Sequence, residues 1–207
     1  MSDDGYKYSN ADLNCSHEYL LPEVESILTD FQHPTGNRRI FELGCGNGSV
    51  ANRLFSLGYD VTAIDPSNEG IAQAKAHYPN VRFHQGSAYD DLSAHFGTYP
   101  ILLSLEVIEH VYYPRKFTKC AYSLLDKDGI AIISTPFHGY WKNLVLAVTG
   151  KLDNHFTALW DHGHIKFWSM RTLSTLLEEA GFRKIKYVLV GRRFSPLAKS
   201  MIAIAQK

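Results

Sequence analysis

The spacing of hydrophobic positions changes several times along this chain, and each change marks an element. Between Glu18 and Phe31, the residues Leu20, Leu21, Val24, Ile27, Leu28 and Phe31 recur at helical intervals, up to the breaker His33-Pro34-Thr35-Gly36. Strand and helix patterns then alternate. A strand over 39–43 precedes a helix over 49–57 stopped by Gly58, and a strand over 59–64 precedes a helix over 67–77 stopped before Pro79. A short strand over 81–85 opens a loop or helix at 86–97. Ile101 to Leu105 reads as strand, Pro114 to Leu125 as helix, and Ile130 to Ser134 as strand again. This order predicts an α/β fold, a doubly wound parallel sheet with helices on both faces.

The alternation stops after Thr135-Pro136. Residues 136–169 are rich in aromatics, carry His138, His155, His162 and His164, and contain the apolar run Leu144 to Val148. A helix over 170–180, stopped by Gly181, and strand-like segments over 182–190 and 201–205 finish the chain. We read one domain over 1–207, divided into four parts. An N-terminal arm and helix occupy 1–35, a core 36–135, an inserted cap on the sheet's carboxyl edge 136–169, and a closing helix and strands 170–207. Leu144 to Val148 reads as packing inside the monomer, a lid over an apolar substrate, a dimer face or a membrane-touching helix.

Phe41-Glu42-Leu43-Gly44-Cys45-Gly46-Asn47-Gly48 joins the first core strand to its helix. Alternate glycines there permit backbone angles that other residues avoid, and let a ligand lie on the main chain. Asp65 ends the next strand, where a carboxylate can accept hydrogen bonds from both hydroxyls of a ribose. Together they predict a nucleoside-containing cofactor. The Gly-x-Gly-x-Gly turn departs from the Gly-x-Gly-x-x-Gly pattern that serves a pyrophosphate, and Glu42 would sit poorly beside one. An acid at that place suits an ammonium. S-adenosylmethionine carries an ammonium, a sulfonium and a ribose but no phosphate, so it fits better than a nicotinamide dinucleotide.

The same residues resemble a known family. Glu42 to Gly48 is similar to the glycine-rich motif of class I S-adenosylmethionine-dependent methyltransferases, and Asp65 matches that family's ribose-binding acid. Ser104-Leu105-Glu106-Val107-Ile108-Glu109-His110-Val111 resembles its fourth-strand motif, Leu124 to Ser134 its fifth-strand motif, and His164 to Phe182 its post-core helix and strand. The Glu-x-x-Glu-His string looks most like the ubiquinone-biosynthesis O-methyltransferase type. One departure stands at Tyr99-Pro100, where the family often has an Asp. The resemblance implies a Rossmann-like sheet of seven strands with the last antiparallel and inserted by a hairpin. It implies S-adenosyl-L-methionine as cofactor and S-adenosyl-L-homocysteine as product. Cofactor contacts would come from Glu42, Gly44, Cys45, Gly46, Asn47, Gly48, Asp65, Pro66, Ser67, Ser87, Ala88, Leu105, Glu106, Val107 and His110. The implied reaction is methyl transfer to a small-molecule acceptor, foremost at a hydroxyl oxygen, with nitrogen or carbon as the alternative. A nicotinamide-dependent oxidoreductase and a non-catalytic cofactor-binding module are the remote readings.

Transfer to oxygen requires the hydroxyl's proton to leave, and imidazole titrates near the operating pH. His110, His162 and His164 are the candidate bases. Glu106, Glu109 and His110 admit two readings. They are polar residues at a strand-to-helix corner, or, with a later histidine, ligands to a divalent metal that polarises the acceptor hydroxyl. Some ubiquinone-type and small-RNA 2′-hydroxyl methyltransferases resemble the second use. The first is favoured, so no metal is expected. Asp65 has an alternative role as a helix cap, which Ser67 fills more naturally, and Ser87 one as a plain turn residue. Tyr140, Trp141, Phe156, Trp160 and Trp168 are candidate walls of the acceptor pocket.

Charge narrows the partners. Lys plus Arg, at 21, balances Asp plus Glu, at 21. No general footprint for nucleic acid or an acidic membrane results, although Arg183-Lys184-Ile185-Lys186 and Arg192-Arg193 remain as local basic clusters. Cys15, Cys45 and Cys120 form an odd set without a Cys-x-x-Cys, which favours a reducing compartment over a disulfide framework. The start carries Asp3 and Asp4, unlike a signal peptide, and the apolar runs are too short to span a bilayer. The expectation is a cytoplasmic protein with a small-molecule acceptor, no nucleic-acid partner and no membrane span, and with a homodimer among its compatible states.

Overall fold

Near-continuous apolar runs along the central strands, buried over most of their length, build a sheet that is covered on both sides. The computed structural model describes residues 10–156 and 158–207, so the first nine residues of the expected N-terminal arm lie outside the described residues. Its strands are β1 (Arg39–Leu43), β2 (Asp60–Asp65), β3 (Arg82–Gln85), β4 (Tyr99–Leu105), β5 (Leu125–Pro136), β6 (Arg183–Val190) and β7 (Ser200–Gln206). They form one sheet in the order β3-β2-β1-β4-β5-β7-β6. The first five strands run parallel, and β7 enters antiparallel between β5 and β6. This is the seven-stranded Rossmann-like arrangement with a closing hairpin that the motifs imply.

The helices are α1 (His17–Asp30), α2 (Ser49–Ser56), α3 (Asn68–His77), α4 (Leu92–Phe96), α5 (Pro114–Ser123), α6 (Tyr140–Val148), α7 (Leu152–Phe156) and α8 (Met170–Ala180). On one face, Ile40, Ile101, Leu103, Ile130 and Ile132 pack under Leu20, Val24 and Leu28 of α1, Leu54 of α2 and Ile71 of α3. On the other, Phe41, Leu43, Leu102, Ala131 and Ile133 pack under Leu92 of α4, Phe117 of α5 and Leu173 and Leu177 of α8. Neighbours in sequence thus go to opposite layers, as the pleat requires. Ser67 caps α3 by accepting from the Gly70 N–H at 3.1 Å. Ser169 and Thr172 form a capping box on α8, and Gly181 ends that helix at φ +108°.

Three details differ from the sequence reading. The 86–97 segment condenses to the five-residue α4, because Ser87 and Asp90 close a turn first. β5 begins five residues early, at Leu125, which pairs with Tyr99 before a register shift between Tyr99 and Ile101; the unusual Tyr99-Pro100 entry to β4 is therefore an irregularity in the sheet. The Leu144–Val148 run forms α6, which buries no residue; Val148 is 79 % exposed, so packing inside the monomer does not account for this run.

Strand order reverses between β1 and β4. In open parallel sheets this reversal opens a crevice at the carboxyl ends of the strands, where ligands bind. Leu43 and Leu105 end there, and β5 leads from the same edge into the cap.

Candidate active site

The glycine turn is built by backbone geometry. The N–H groups of Gly44 and Cys45 both donate to the Ile64 carbonyl, at 2.8 and 2.9 Å, and tie the end of β1 to β2. Gly44 and Gly48 stand at φ +86° and +78°. A Cβ on Gly44 would fall 2.6 Å from Val107 Cγ2, and one on Gly48 2.6 Å from Phe83 Cζ. The early third glycine thus lets α2 approach β3, while the first brings the turn against the fourth-strand motif.

Asp65, at the end of β2, braces the turn. Its Oδ2 accepts from the Gly46 N–H at 2.9 Å and its Oδ1 from the Ser67 N–H at 2.8 Å. Burial raises its pKa, and these two donors oppose the rise. Each oxygen keeps a lone pair for a further donor. Pro66 passes the chain on to α3, and its carbonyl accepts from Gln85 Nε2. Glu42 is buried beneath the turn, its Oε2 has no hydrogen-bond partner, and burial, then the nearby Asp65, pushes its carboxyl up to about 8. A cation is the natural complement of such an acid.

Asn47 looks outward from the turn. Its Nδ2 donates to the carbonyls of Asn10 and Asp12, both at 2.9 Å, and its Oδ1 accepts from Ser49 N and Oγ. Tyr78 adds a bond from its hydroxyl to the Ala11 carbonyl. Residues 10–12 are thereby strapped across the glycine turn, a contact the sequence did not disclose because it joins residues 37 and 35 positions apart. Asn47→Ala is expected to lower stability by about 1–3 kcal/mol and to remove amide protection selectively from residues 10–16 in hydrogen exchange. Unchanged protection there would refute the strap. Ser87 takes its turn role, donating its N–H to Asp90 Oδ2 and accepting from Tyr89 N, while Ala88 packs on the core.

The fourth-strand motif makes the second half of the site. β4 ends at Leu105, and Glu106 adopts φ +53°. The Glu106 carboxylate accepts from Ser134 Oγ at 2.8 Å and from Ser200 Oγ at 3.3 Å. Burial pushes it up to about 7 against the pull of both serines and Lys142. Glu109 is buried with neither carboxylate oxygen hydrogen-bonded. Its Oε1 lies 4.0 Å from His110 Nε2 and 4.0 Å from His164 Nε2. Two backbone bonds hold this corner shut, since Ile165 N and Lys166 N both donate to the Glu109 carbonyl at 2.9 Å. His164 is brought to Glu109 across 55 positions of sequence this way.

The imidazoles are set for lone-pair chemistry. His110 Nδ1 faces the carbonyls of His162 and Gly163 at 2.9 and 3.2 Å. A carbonyl only accepts, so Nδ1 carries the hydrogen and Nε2 presents its lone pair toward Glu109. Burial lowers the pKa of His110, and burial followed by the neighbouring rings lowers that of His164 to about 4. Both are therefore neutral near pH 7. One ligand atom from each of Glu109, His110 and His164 lies within 4.8 Å of the others. An orphaned acid with two neutral imidazoles is a donor set that suits zinc, manganese or iron.

The structure thus regroups the sequence candidates. Glu106, placed by sequence with Glu109 and His110, is turned by its positive φ onto Ser134 and Ser200, and His164 takes its place. His162 contributes its carbonyl, and its ring is exposed. Among the candidate walls, Trp160 sets its edge on His110 and His164, and Trp168 Nε1 donates to the Ile108 carbonyl. Phe156 stacks on His138, which sequence reading passed over as a base candidate and which lies 5.0 Å, ring to ring, from His155. Tyr140 and Trp141 face outward, 74 % and 62 % exposed.

The chain and its fold have counterparts among known proteins. The model of the family described as methyltransferase domain matches residues 16–187. The chain belongs to the methyltransferase domain family. Its fold and motif order are those of class I S-adenosylmethionine-dependent methyltransferases. The methyltransferase is 30 % identical over 172 residues to a ubiquinone biosynthesis O-methyltransferase of Azorhizobium caulinodans, covering 79 % of this chain and 65 % of the relative. It is 28 % identical over 179 residues to the protein of that name from Thiobacillus denitrificans, covering 82 % and 74 %. The chain therefore spans about two thirds to three quarters of these relatives' length. Solved structures share its fold at low identity. The methyltransferase domain of bacterial CtHen1-CN superposes with a TM-score of 0.69 at 18 % identity, over 94 % of this chain and 100 % of that one. Magnesium protoporphyrin IX methyltransferase from Synechocystis, solved with bound SAH, gives 0.66 at 17 %, over 90 % and 82 %. Among the described residues no helix of this methyltransferase is long and apolar enough to cross a membrane.

Proposed function

We propose that this methyltransferase moves the methyl group of S-adenosylmethionine to a hydroxyl oxygen of a small molecule, at the corner formed by Glu109, His110 and His164. The observation that carries the reading is a pair of buried acids, one in β1 and one just after β4, whose carboxylate oxygens are left wholly or partly without a hydrogen-bond partner. Glu42 lies under the glycine turn and suits an ammonium; Glu109 lies under the acceptor side and suits a cation or a hydroxyl proton. The cofactor supplies a methyl made electrophilic by sulfonium. The chain's residues supply position. Gly44 to Gly48 carry the methionine part on the main chain, Asp65 accepts from the ribose hydroxyls, and the Ser87–Ala88 turn borders the base. Alignment of this kind contributes roughly 7–11 kcal/mol to lowering a two-reactant barrier. His110 or His164, neutral at pH 7, takes the hydroxyl's proton at Nε2. The names of the two relatives support oxygen as the atom that is methylated.

Glu109 favours a second reading of the same corner, in which Glu109, His110 and His164 hold a divalent cation. When bound, such a cation lowers the pKa of a hydroxyl that meets it. The rest of the site keeps its roles, and the two readings differ in their response to chelation.

The assay is labelled S-adenosylmethionine with a cell extract, followed by identification of the product that gains the label. Methyl on nitrogen or carbon would overturn the oxygen reading. Glu42 gives a test of the cofactor's ammonium. Its carboxyl takes up a proton near pH 8 in the folded protein against 4.5 ordinarily, so it is protonated at pH 7. Binding an ammonium there is expected to release about one proton. Titration calorimetry with S-adenosylhomocysteine at pH 7 in two buffers of different ionisation enthalpy measures it, and Glu42→Gln removes it. The same shift means that, without ligand, Glu42 costs stability as pH rises from 4.5 to about 8.

A further inference from the structure

The same edge of the sheet carries a second feature. Tyr19 and Glu23 of α1, with Val190 to Arg193 after β6, frame an open cleft of about 420 Å³. Val190 pairs with Ser200, and Ser200 with Pro136 at the carboxyl end of β5, so this loop stands at the reaction edge. A polar chain connects the two sites. Tyr19 Oη lies 3.3 Å from Ser200 Oγ, which lies 3.3 Å from Glu106 Oε2.

Positive charge outnumbers negative there. Arg53, Arg82 and Arg115 each hold a carboxylate. Among the described residues, no ion pair involves Arg192 or Arg193, and Glu23 is the one carboxylate lining the cleft. Lys199 Nζ stands 5.2 Å over the Tyr19 ring. Lys142 reaches in from α6, donating to the carbonyls of Phe137 and Lys199 at 2.8 and 3.2 Å. It is close enough to feel both Arg192 and Glu106, and burial together with Arg192 pushes its ammonium down to about 8. In a chain of zero formal charge, two arginines facing one carboxylate in a cleft, with Lys199 and Lys142 close by, leave an excess of positive charge that suits an anion.

We infer that this cleft receives a carboxylate or phosphate carried by the methyl acceptor, with Arg192 and Arg193 as its partners, while the acceptor's hydroxyl reaches the Glu109 corner. The inference rests on the acceptor site proposed above and narrows its substrate to acidic hydroxylated molecules. Guanidinium forks match the planar carboxylate and the phosphate oxygens alike. The exposed position of both arginines leaves the cleft open to solvent until the anion enters.

Binding tests this without turnover. The full chain, saturated with S-adenosylhomocysteine, is titrated with benzoate, phenyl phosphate and the neutral benzyl alcohol, and amide resonances are followed by NMR. At least one anion is expected to shift the amides of Gly191 to Arg193 and Tyr19 and to bind roughly tenfold or more tighter than the alcohol. Preference for benzoate or for phenyl phosphate identifies the acidic group. The paired variant Arg192→Gln/Arg193→Gln is expected to lose that advantage while keeping its Tm and its affinity for S-adenosylhomocysteine. Anions that bind no better than the alcohol, shifts scattered over the surface, or an advantage that survives in the variant would each overturn the inference. Failure of the wild-type chain to bind S-adenosylhomocysteine would strike the proposed function instead, so the two failures are distinguishable.

Discussion

Asp65→Ala is expected to lower the affinity for S-adenosylhomocysteine by two orders of magnitude or more. Two hydrogen bonds from ribose hydroxyls to an ionised acceptor are worth about 1.5–3 kcal/mol each, which converts to roughly 10²–10⁴ in the dissociation constant. The same change strips the Gly46 and Ser67 N–H groups of their acceptor. The cofactor-free protein should therefore lose about 1–3 kcal/mol for each donor that water does not reclaim. Calorimetric titration gives the first quantity and thermal unfolding the second. A variant with lowered Tm but wild-type affinity would reduce Asp65 to a brace for the turn. Gly44→Ala offers an independent check, because its added methyl meets Val107 at 2.6 Å while leaving Asp65 untouched.

The cofactor half of this site was legible because its physics is local. Gly44, Gly46 and Gly48 are tied to positive φ, and Asp65 ends a strand; both facts can be read within a few residues of the chain. The parallel core followed from the alternation of strand and helix patterns, whereas the seven-stranded sheet with its late hairpin came from the family resemblance. The acceptor half was harder to read because it is assembled over distance. His164 reaches Glu109 only because Ile165 and Lys166 donate to the Glu109 carbonyl, and no periodicity carries that information. Glu106 shows the converse. Its spacing to Glu109 suggested a shared ligand set, but a single positive φ sends its carboxylate to serines on β5 and β7. The cap's helices escaped for a third reason. α6 has an apolar pattern without a buried face, so its hydrophobicity left internal packing, a lid, a dimer face and a membrane contact all open, and the structure removes the first of these.

Glu109→Gln should separate the two readings of the acceptor corner. In the metal-free protein, burial and then the charge of Glu106 hold the Glu109 carboxyl well above its usual range. A neutral amide of the same size relieves that cost, so the variant should melt no lower than the wild type, and higher near neutral pH. Under the cation reading, zinc or manganese raises the wild-type Tm. At a free concentration one hundred times the dissociation constant the gain is about 2.7 kcal/mol, or roughly 5–10 °C for a chain of this size. The variant, lacking the anionic ligand, should show little of that shift, and its kcat should fall about a hundredfold or more. Chelation should silence the wild type, and the metal should restore it. Under the base reading, chelation changes neither Tm nor rate, and His164→Gln carries the larger loss in kcat because the imidazole itself takes the proton. The corner contains one unpartnered acid between two neutral imidazoles, and either answer assigns that acid a protonation state. A bound cation keeps Glu109 ionised, whereas without one its depth and the nearby Glu106 favour the protonated form and leave the histidines to do the chemistry.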